Sequence, residues 1–307
     1  MLKRLKYELF LTCGAVFFAF NGVPSKLIME TKLLSATRLT EFRTIGAFLV
    51  ILTFVLLRNR KSLIVSKAEA LWLVAFGLIG FSAVNLFYFL SIQRLHVSIA
   101  LIIEFTSPIW ISLFLKFIVK KPVSKLMWWG LTIGFFGLIL LAQVWKGTTL
   151  DTLGVIFAVI DAFAMTGYFL IAERLLKIHE RPALLVWGLG ISSLFFLIIQ
   201  PIWKFPTAIF SAHVHLTGRF SGLVLPGWAL LLWVVIFGTV VPYAFVLSGL
   251  KGLTASTSSV IGMLEPIFAG IFAWIILQER LTAWQLIGAA IILVGIYLAD
   301  KAKEHTS

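Results

Sequence analysis

Three carboxylates stand inside long apolar stretches of this chain: Glu104, Asp161 and Glu265. A charge at membrane depth costs about 2.5 to 3.5 kcal/mol at a helix centre, so each acid needs a partner, a water-filled cavity or a proton. Such a group takes up a proton, binds a substrate ammonium or alternates between the two. The competing reading is a neutral acid, or half of an ion pair, that holds helices together. Asp161 follows Asp151 by ten residues, about 15 Å along a helix of 1.5 Å rise, which is mid-bilayer. Glu265 lies equally deep in its own apolar segment.

Cationic and polar groups accompany the acids. Lys26, Glu41 and Arg43 lie near the ends of apolar segments, where a long cation snorkels to the headgroups or turns inward to hold a substrate carboxylate. The second arrangement, combined with Glu104, suits an amino acid. Pro24, Pro108, Pro242 and Pro266 fall inside apolar segments. A proline there removes a backbone donor and frees a carbonyl, which is tolerated only in buried or cavity-lining backbone; Asn21, Gly22 and Tyr243 are placed to answer those groups and to touch substrate, and a packing kink is the plain alternative. Asn85, Tyr88, Gln93, Tyr168, Ser192, Ser193 and the run Ser256-Thr257-Ser258-Ser259 add uncharged hydrogen-bonding groups, which interhelical bonds also explain.

The elements that must position these side chains are membrane helices. With 60% hydrophobic and 13% charged residues over 307 positions and a mean hydropathy of +1.03, the chain cannot make a polar surface, which excludes a soluble globule. Ten apolar segments run roughly 8–29, 36–57, 69–92, 97–119, 124–145, 152–173, 182–203, 227–250, 255–278 and 282–300, each long enough for a hydrocarbon core of about 30 Å. Ser66-Lys-Ala-Glu69 and Thr282-Ala-Trp-Gln285 read as capping boxes, and Asp151 as an N-cap. The one long connection, about 204–226, carries Pro206, Gly218, Gly222 and Pro226. The basic opening, Lys3, Arg4 and Lys6, imitates a signal peptide, but no small-residue cleavage site follows, so it reads as a retained helix.

The net charge of +13 is distributed by side rather than gathered into a nucleic-acid surface. Alternate segment ends carry Lys3, Arg4 and Lys6; Arg58, Arg60, Lys61 and Lys67; Lys116, Lys120, Lys121 and Lys125; Arg174, Lys177 and Arg181; Lys251; and Lys301 and Lys303. The other ends carry only Lys32, Arg38, Arg94, Lys146, Lys204, Arg219 and Arg280. The positive-inside rule then puts both termini in the cytoplasm, in accord with an even number of spans. Trp72, Trp128, Trp129, Trp145, Trp228 and Trp284 fall near span ends, as interfacial belts do.

The chain also repeats. An offset of 158 residues pairs Phe87 with Phe245, Leu95 with Leu253, Ser98 with Ser256, Pro108 with Pro266, Gly130 with Gly288 and Gly137 with Gly295. Gly130-Leu-Thr-Ile-Gly134 and its counterparts predict close helix packing. Five spans per copy is odd, so the second copy, 147–307, is inverted relative to the first, 1–146. Inverted repeats are how many secondary transporters obtain two exchangeable half-conformations around a midplane site. The acids themselves do not align: Glu104 pairs with Gly262 and Glu265 with Ser107. Their three-residue offset, nearly one turn, places them at different depths of one cavity.

Pro242-Tyr243, Leu264-Glu265-Pro266, Gln278-Glu279-Arg280-Leu281-Thr282 and Gln285-Leu-Ile-Gly288, in that order, resemble the ten-helix drug/metabolite transporter superfamily with two EamA-type domains. The first half, with Asn85-Leu-Phe-Tyr88-Phe-Leu-Ser91-Ile-Gln93 and Glu104-Phe-Thr-Ser-Pro108, is similar to the threonine/homoserine exporter branch. The family's acid before the inter-helix turn is present as Glu279, while the first-half counterpart is Lys121. The resemblance implies export of amino acids or related metabolites across a plasma (inner) membrane.

Other chemistries lack their residues. Cys13 stands alone, so no CxxC site or internal disulfide forms. His213 and His215 form an HxH without the further ligands a zinc site needs, and the remaining histidines, 96, 179 and 305, lie near ends or loops. No GxxxxGK[ST] is present, and Gly188-Leu-Gly190 is not a dinucleotide motif. The sequence therefore predicts an all-α integral membrane protein of ten helices, not an enzyme, with no cofactor or metal. It acts on a small-molecule substrate by alternating access, with proton coupling as one role for its acids. A passive facilitator or channel is the main alternative, and a membrane-embedded lipid-modifying enzyme the lesser one. The candidate site comprises Glu104, Glu265, Asp161, Tyr243, Asn85, Tyr88, Asn21 and Arg43.

Overall fold

The computed structural model describes residues 2–145, 151–278 and 280–302; Lys146, Glu279, Lys303 and His305 fall outside the described residues. Ten helices long and apolar enough to cross a membrane run through them: α1 (Lys3–Glu30), α2 (Ala36–Leu63), α3 (Lys67–Ile92), α4 (Val97–Phe117), α5 (Lys125–Ala142), α6 (Thr152–Leu175), α7 (Arg181–Ile199), α8 (Gly227–Leu250), α9 (Ala255–Leu277) and α10 (Ala283–Lys301). Helices are what an apolar chain must form in lipid, because each satisfies its backbone groups internally. Their starts are written locally. Ser66 and Thr282 close capping boxes with Glu69 and Gln285, and Asp151 Oδ1 accepts from the Gly154 amide at 2.8 Å.

Four of the helices depart from α geometry in mid-span, and these four carry Asn85, Tyr88, Glu104, Tyr243 and Glu265. In α3 a π-helical stretch covers Phe76–Ala83, and in α8 another covers Ile236–Val240. A hydroxyl answers a carbonyl five residues back in each: Ser82 Oγ donates to Gly77 O at 3.0 Å, and Thr239 Oγ1 to Val234 O at 2.9 Å. Helix α4 breaks between Glu104 and Ser107, and α9 between Gly262 and Glu265. These breaks fall at positions related by the sequence offset, and equivalent tight hydrogen bonds bridge them, Thr106 N–H to Ile103 O and Leu264 N–H to Ile261 O, both 3.0 Å.

The proline expectation needs correction at this point. Pro24 does lie inside α1, which continues through it, but Pro108 and Pro266 occupy the first turn of the second half of their helices. An amide in that turn has no intrahelical acceptor, so proline removes nothing there. Pro242, by contrast, lies inside continuous α8, just after its π stretch, where the sequence expectation of a missing backbone donor applies.

Helices α5 and α10 pack backbone to backbone. A Cβ on Gly130 would stand 2.6 Å from Ala299 N, one on Gly137 2.7 Å from Ile292 N, and one on Gly288 2.5 Å from Leu141 N, so only glycine permits this approach. The long connection is more structured than its composition suggests. It holds a short helix, Ala208–Ser211, and an antiparallel hairpin of β1 (His213–His215) and β2 (Val224–Pro226). Val214 is buried in one hydrophobic cluster with Leu27, Ile28 and Leu39, while His213 and His215 are exposed. Gly218, at φ +65°, lies against the backbone of Ile276 and Leu277, which ties the loop to the end of α9.

Candidate functional site

A cavity of about 530 Å3 lies among α1, α2, α3, α4, α6, α8 and α9. Seven of the eight candidate residues line it: Asn21, Arg43, Asn85, Tyr88, Glu104, Tyr243 and Glu265. The broken helices bring the acids there. Glu104 is the last residue of the first half of α4 and Glu265 the first residue of the second half of α9. The two acids are within electrostatic reach of one another, and Glu265 of Arg43.

Asn85 organises the opposite wall. Its Nδ2 donates to Phe81 O at 2.7 Å, inside the π stretch of α3, and its Oδ1 accepts from Arg43 Nη2. Tyr243 of α8 lines the cavity on the same side and interacts electrostatically with Arg43. A cation from α2, an amide from α3 and a phenol from α8 thus converge. Arg43 does not snorkel to a headgroup region; it lines the cavity. Glu41, by contrast, is buried in an ion pair with Arg38 at 2.6 Å and takes no part. Lys26 is exposed and also lines the cavity.

Asn21 sits where α1 crosses the π stretch of α8. A Cβ on Gly238 would overlap the Asn21 side chain, and Asn21 Oδ1 is buried without a protein donor. Asp161 is the candidate that the structure leaves off the lining. It is 1% exposed with both carboxyl oxygens unbonded, on α6 beside the cavity and within electrostatic reach of Glu104.

Two phenylalanines that sequence reasoning did not single out pack against Tyr243: Phe18, on the cavity lining, edge-on at 5.0 Å, and Phe81, behind it, at 4.7 Å. Tyr168 lies 6.1 Å from the same ring. In a chain that is 14% aromatic, one phenylalanine among many carries no signal of its own. Among the described residues no group of three or more His, Cys, Asp or Glu side chains could hold a metal. An apolar cavity with a few convergent polar groups of both signs is built to bind a small polar molecule.

The cavity reaches the end of the bundle where α1 and α3 finish, through Lys26, Met29, Ile92 and Val97. At the opposite end the helices are tied together. Arg4 bonds Glu8 and Asp300, joining α1 to α10; Glu173 Oε2 accepts from the Ala255 amide at 2.7 Å, joining α6 to α9; and the Ser112 and Ser256 hydroxyls meet at 3.3 Å between α4 and α9.

Comparison with known proteins agrees with this architecture. The EamA-like transporter family matches residues 5–143 and 152–299. An uncharacterized inner membrane transporter, YicL of Salmonella typhimurium, is 23% identical over 289 residues, covering 93% of this chain and 92% of its own. The threonine/homoserine exporter RhtA of the same species is 26% identical over 233 residues, covering 75% and 71%. A solved crystal structure that is 16% identical superposes with a TM-score of 0.71, covering 96% of this chain and 99% of its own, which is a likeness of fold. These relatives are transporters, not enzymes. With ten helices of membrane-spanning length, seven of them lining the candidate cavity, and a family match along almost its whole length, this chain belongs to the EamA-like transporter family of multi-pass membrane proteins.

Proposed function

We propose that this transporter is a secondary active exporter of amino acids or closely related zwitterions, working by alternating access with proton coupling. The observation that carries the reading is the division of charge in one cavity, with Arg43 beside Asn85 and Tyr243, and Glu104 and Glu265 on the broken helices. An α-carboxylate suits the guanidinium, which binds carboxylates as a planar fork. An ammonium suits a carboxylate on the other side. The named activity of the 26% identical RhtA exporters supports the same substrate class.

In this reading the halves 1–146 and 147–307 are inverted repeats, the protein lies in an inner (plasma) membrane, and the more basic end faces the cytoplasm with both termini. The cavity then reaches the outside, and the ties at Arg4, Glu173 and Ser112 form the closed inner side. Exchange of these closures between the two ends is the transport cycle. The test is thermal unfolding of the purified protein with amino acids, nucleobases and cationic drugs, followed by counterflow in proteoliposomes. Stabilisation by amino acids alone is expected, since a ligand of the folded state raises its stability; stabilisation by another class only overturns the assignment. Flux that ignores every imposed gradient favours a passive facilitator.

A further inference from the structure

A second pocket, about 620 Å3, lies at the other end of the bundle, between the end of α2, the start of α7 and the turn from α8 to α9. Arg58, Arg181 and Lys251 surround it, opposed by one carboxylate, Glu180. Asn59 Nδ2 donates to Glu180 Oε2 at 3.4 Å, and Arg181 Nη1 donates to Ser248 Oγ at 2.6 Å, which fixes the guanidinium at the pocket wall. Three cations around one space repel one another and call for an anion beyond the single acid present. None of these residues lines the central cavity.

Exposed apolar residues of α2 lie beside this pocket. The Arg58 guanidinium lies over the Phe54 ring at 5.8 Å from its centroid. Phe54 is 46% exposed and Leu57 84% exposed, so an open hydrophobic surface of α2 runs from the cations towards the membrane core. Basic pockets between membrane helices at the cytoplasmic side suit anionic headgroups, and arginine presents paired donors that match phosphate oxygens.

We propose that this pocket binds the phosphate group of an anionic membrane lipid, with the headgroup among Arg58, Arg181 and Lys251 and an acyl chain along Phe54 and Leu57. Free inorganic phosphate would use the same cations but has nothing to lay on the apolar wall.

The test is thermal unfolding of the full chain in detergent with phosphatidylglycerol, phosphatidylcholine or inorganic phosphate added separately. Phosphatidylglycerol is expected to raise the transition by a few degrees in a concentration-dependent way, and the other two to leave it in place. The double variant Arg58→Gln/Lys251→Gln, at two exposed positions, should keep the unliganded transition and lose most of that shift. Glu180→Gln removes the opposing acid and should enlarge it, which keeps the test available if the double variant does not fold. An equal shift with phosphatidylcholine, or a full shift in the double variant, overturns the site. Inorganic phosphate alone reproducing the whole shift overturns the lipid assignment.

Discussion

Glu104 ends one half-helix and Glu265 begins another, so the two acids of the cavity meet helix ends of opposite polarity. A helix N-terminus favours a negative charge and a C-terminus disfavours one. Arg43 lies within electrostatic reach of Glu265 and acts in the same direction as the helix end. The pair is therefore unequal by construction: charge is better accommodated on Glu265 than on Glu104.

That inequality separates two substitutions which would otherwise look alike. Glu104→Gln, a neutral mimic, is expected to leave substrate affinity within about threefold while abolishing the response of flux to an imposed pH gradient. Glu265→Gln removes the charge that an ammonium would meet and is expected to weaken binding about tenfold or more, the scale of a charge-assisted hydrogen bond. Affinity from thermal shift and flux in proteoliposomes read the two effects separately. Wild-type flux and coupling in both variants would remove the acids from the mechanism.

The contact between α5 and α10 makes a stability prediction independent of transport. Gly137→Ala places a methyl 2.7 Å from Ile292 N and 2.8 Å from Gly288 O, where neither backbone group can yield without moving its helix. A cost of about 1–3 kcal/mol is expected, as for overpacked cores, seen as a lowered unfolding temperature in detergent. Gly22→Ala, with nothing within 4 Å of the new methyl, serves as the control and should not be destabilised. Equal unfolding temperatures for the two variants would mean the helices are further apart than described.

Asp151 offers a test of what starts α6. Its Oδ1 accepts from the Gly154 amide at 2.8 Å, and its Oδ2 lies 3.5 Å from Arg94 Nη1 in an exposed pair. Capping is worth about 1 kcal/mol, and an exposed ion pair far less. Asp151→Asn should therefore keep most of the stability that Asp151→Ala loses. Equal losses in the two variants would assign the stabilisation to the ion pair.

The fold was legible where its causes are local. Hydropathy over twenty residues places a helix, and Ser66, Asp151 and Thr282 announce helix starts by the hydrogen bonds they make within one turn. The broken helices were half legible. Pro108 and Pro266 marked them, yet each first half ends four residues earlier, at Glu104 and Gly262, because the prolines start the second half rather than interrupt the first. The π stretches have no signature in hydropathy, so Asn85 could be named as a candidate but its hydrogen bond to the Phe81 carbonyl could not be drawn. Depth was legible and direction was not: Asp161 has the charge and mid-helix position of a site residue, but which side of α6 it occupies depends on packing with α4, where Thr166 Oγ1 donates to Ser107 O at 3.4 Å. Arg43 was open for the same reason, since its place near a helix end suited a headgroup as well as the cavity, and its rotation about α2 turns it into the cavity.

Arg43 and Asn85 give the sharpest test of the substrate class. The hydrogen bond between them holds the guanidinium against the α3 wall while leaving other donors of its fork for a ligand. If those donors take a substrate carboxylate, Arg43→Gln should raise the KM for an exported amino acid by about tenfold to a hundredfold, the equivalent of about 1.5–3 kcal/mol for a hydrogen bond to a charged group. Arg43→Lys keeps the charge but loses the fork and should fall between. The decisive comparison is an amine analogue that lacks the carboxylate, whose transport should be weak in the wild type and nearly unaffected by Arg43→Gln. A purely structural arginine would weaken both ligands equally and lower the unfolding temperature with them.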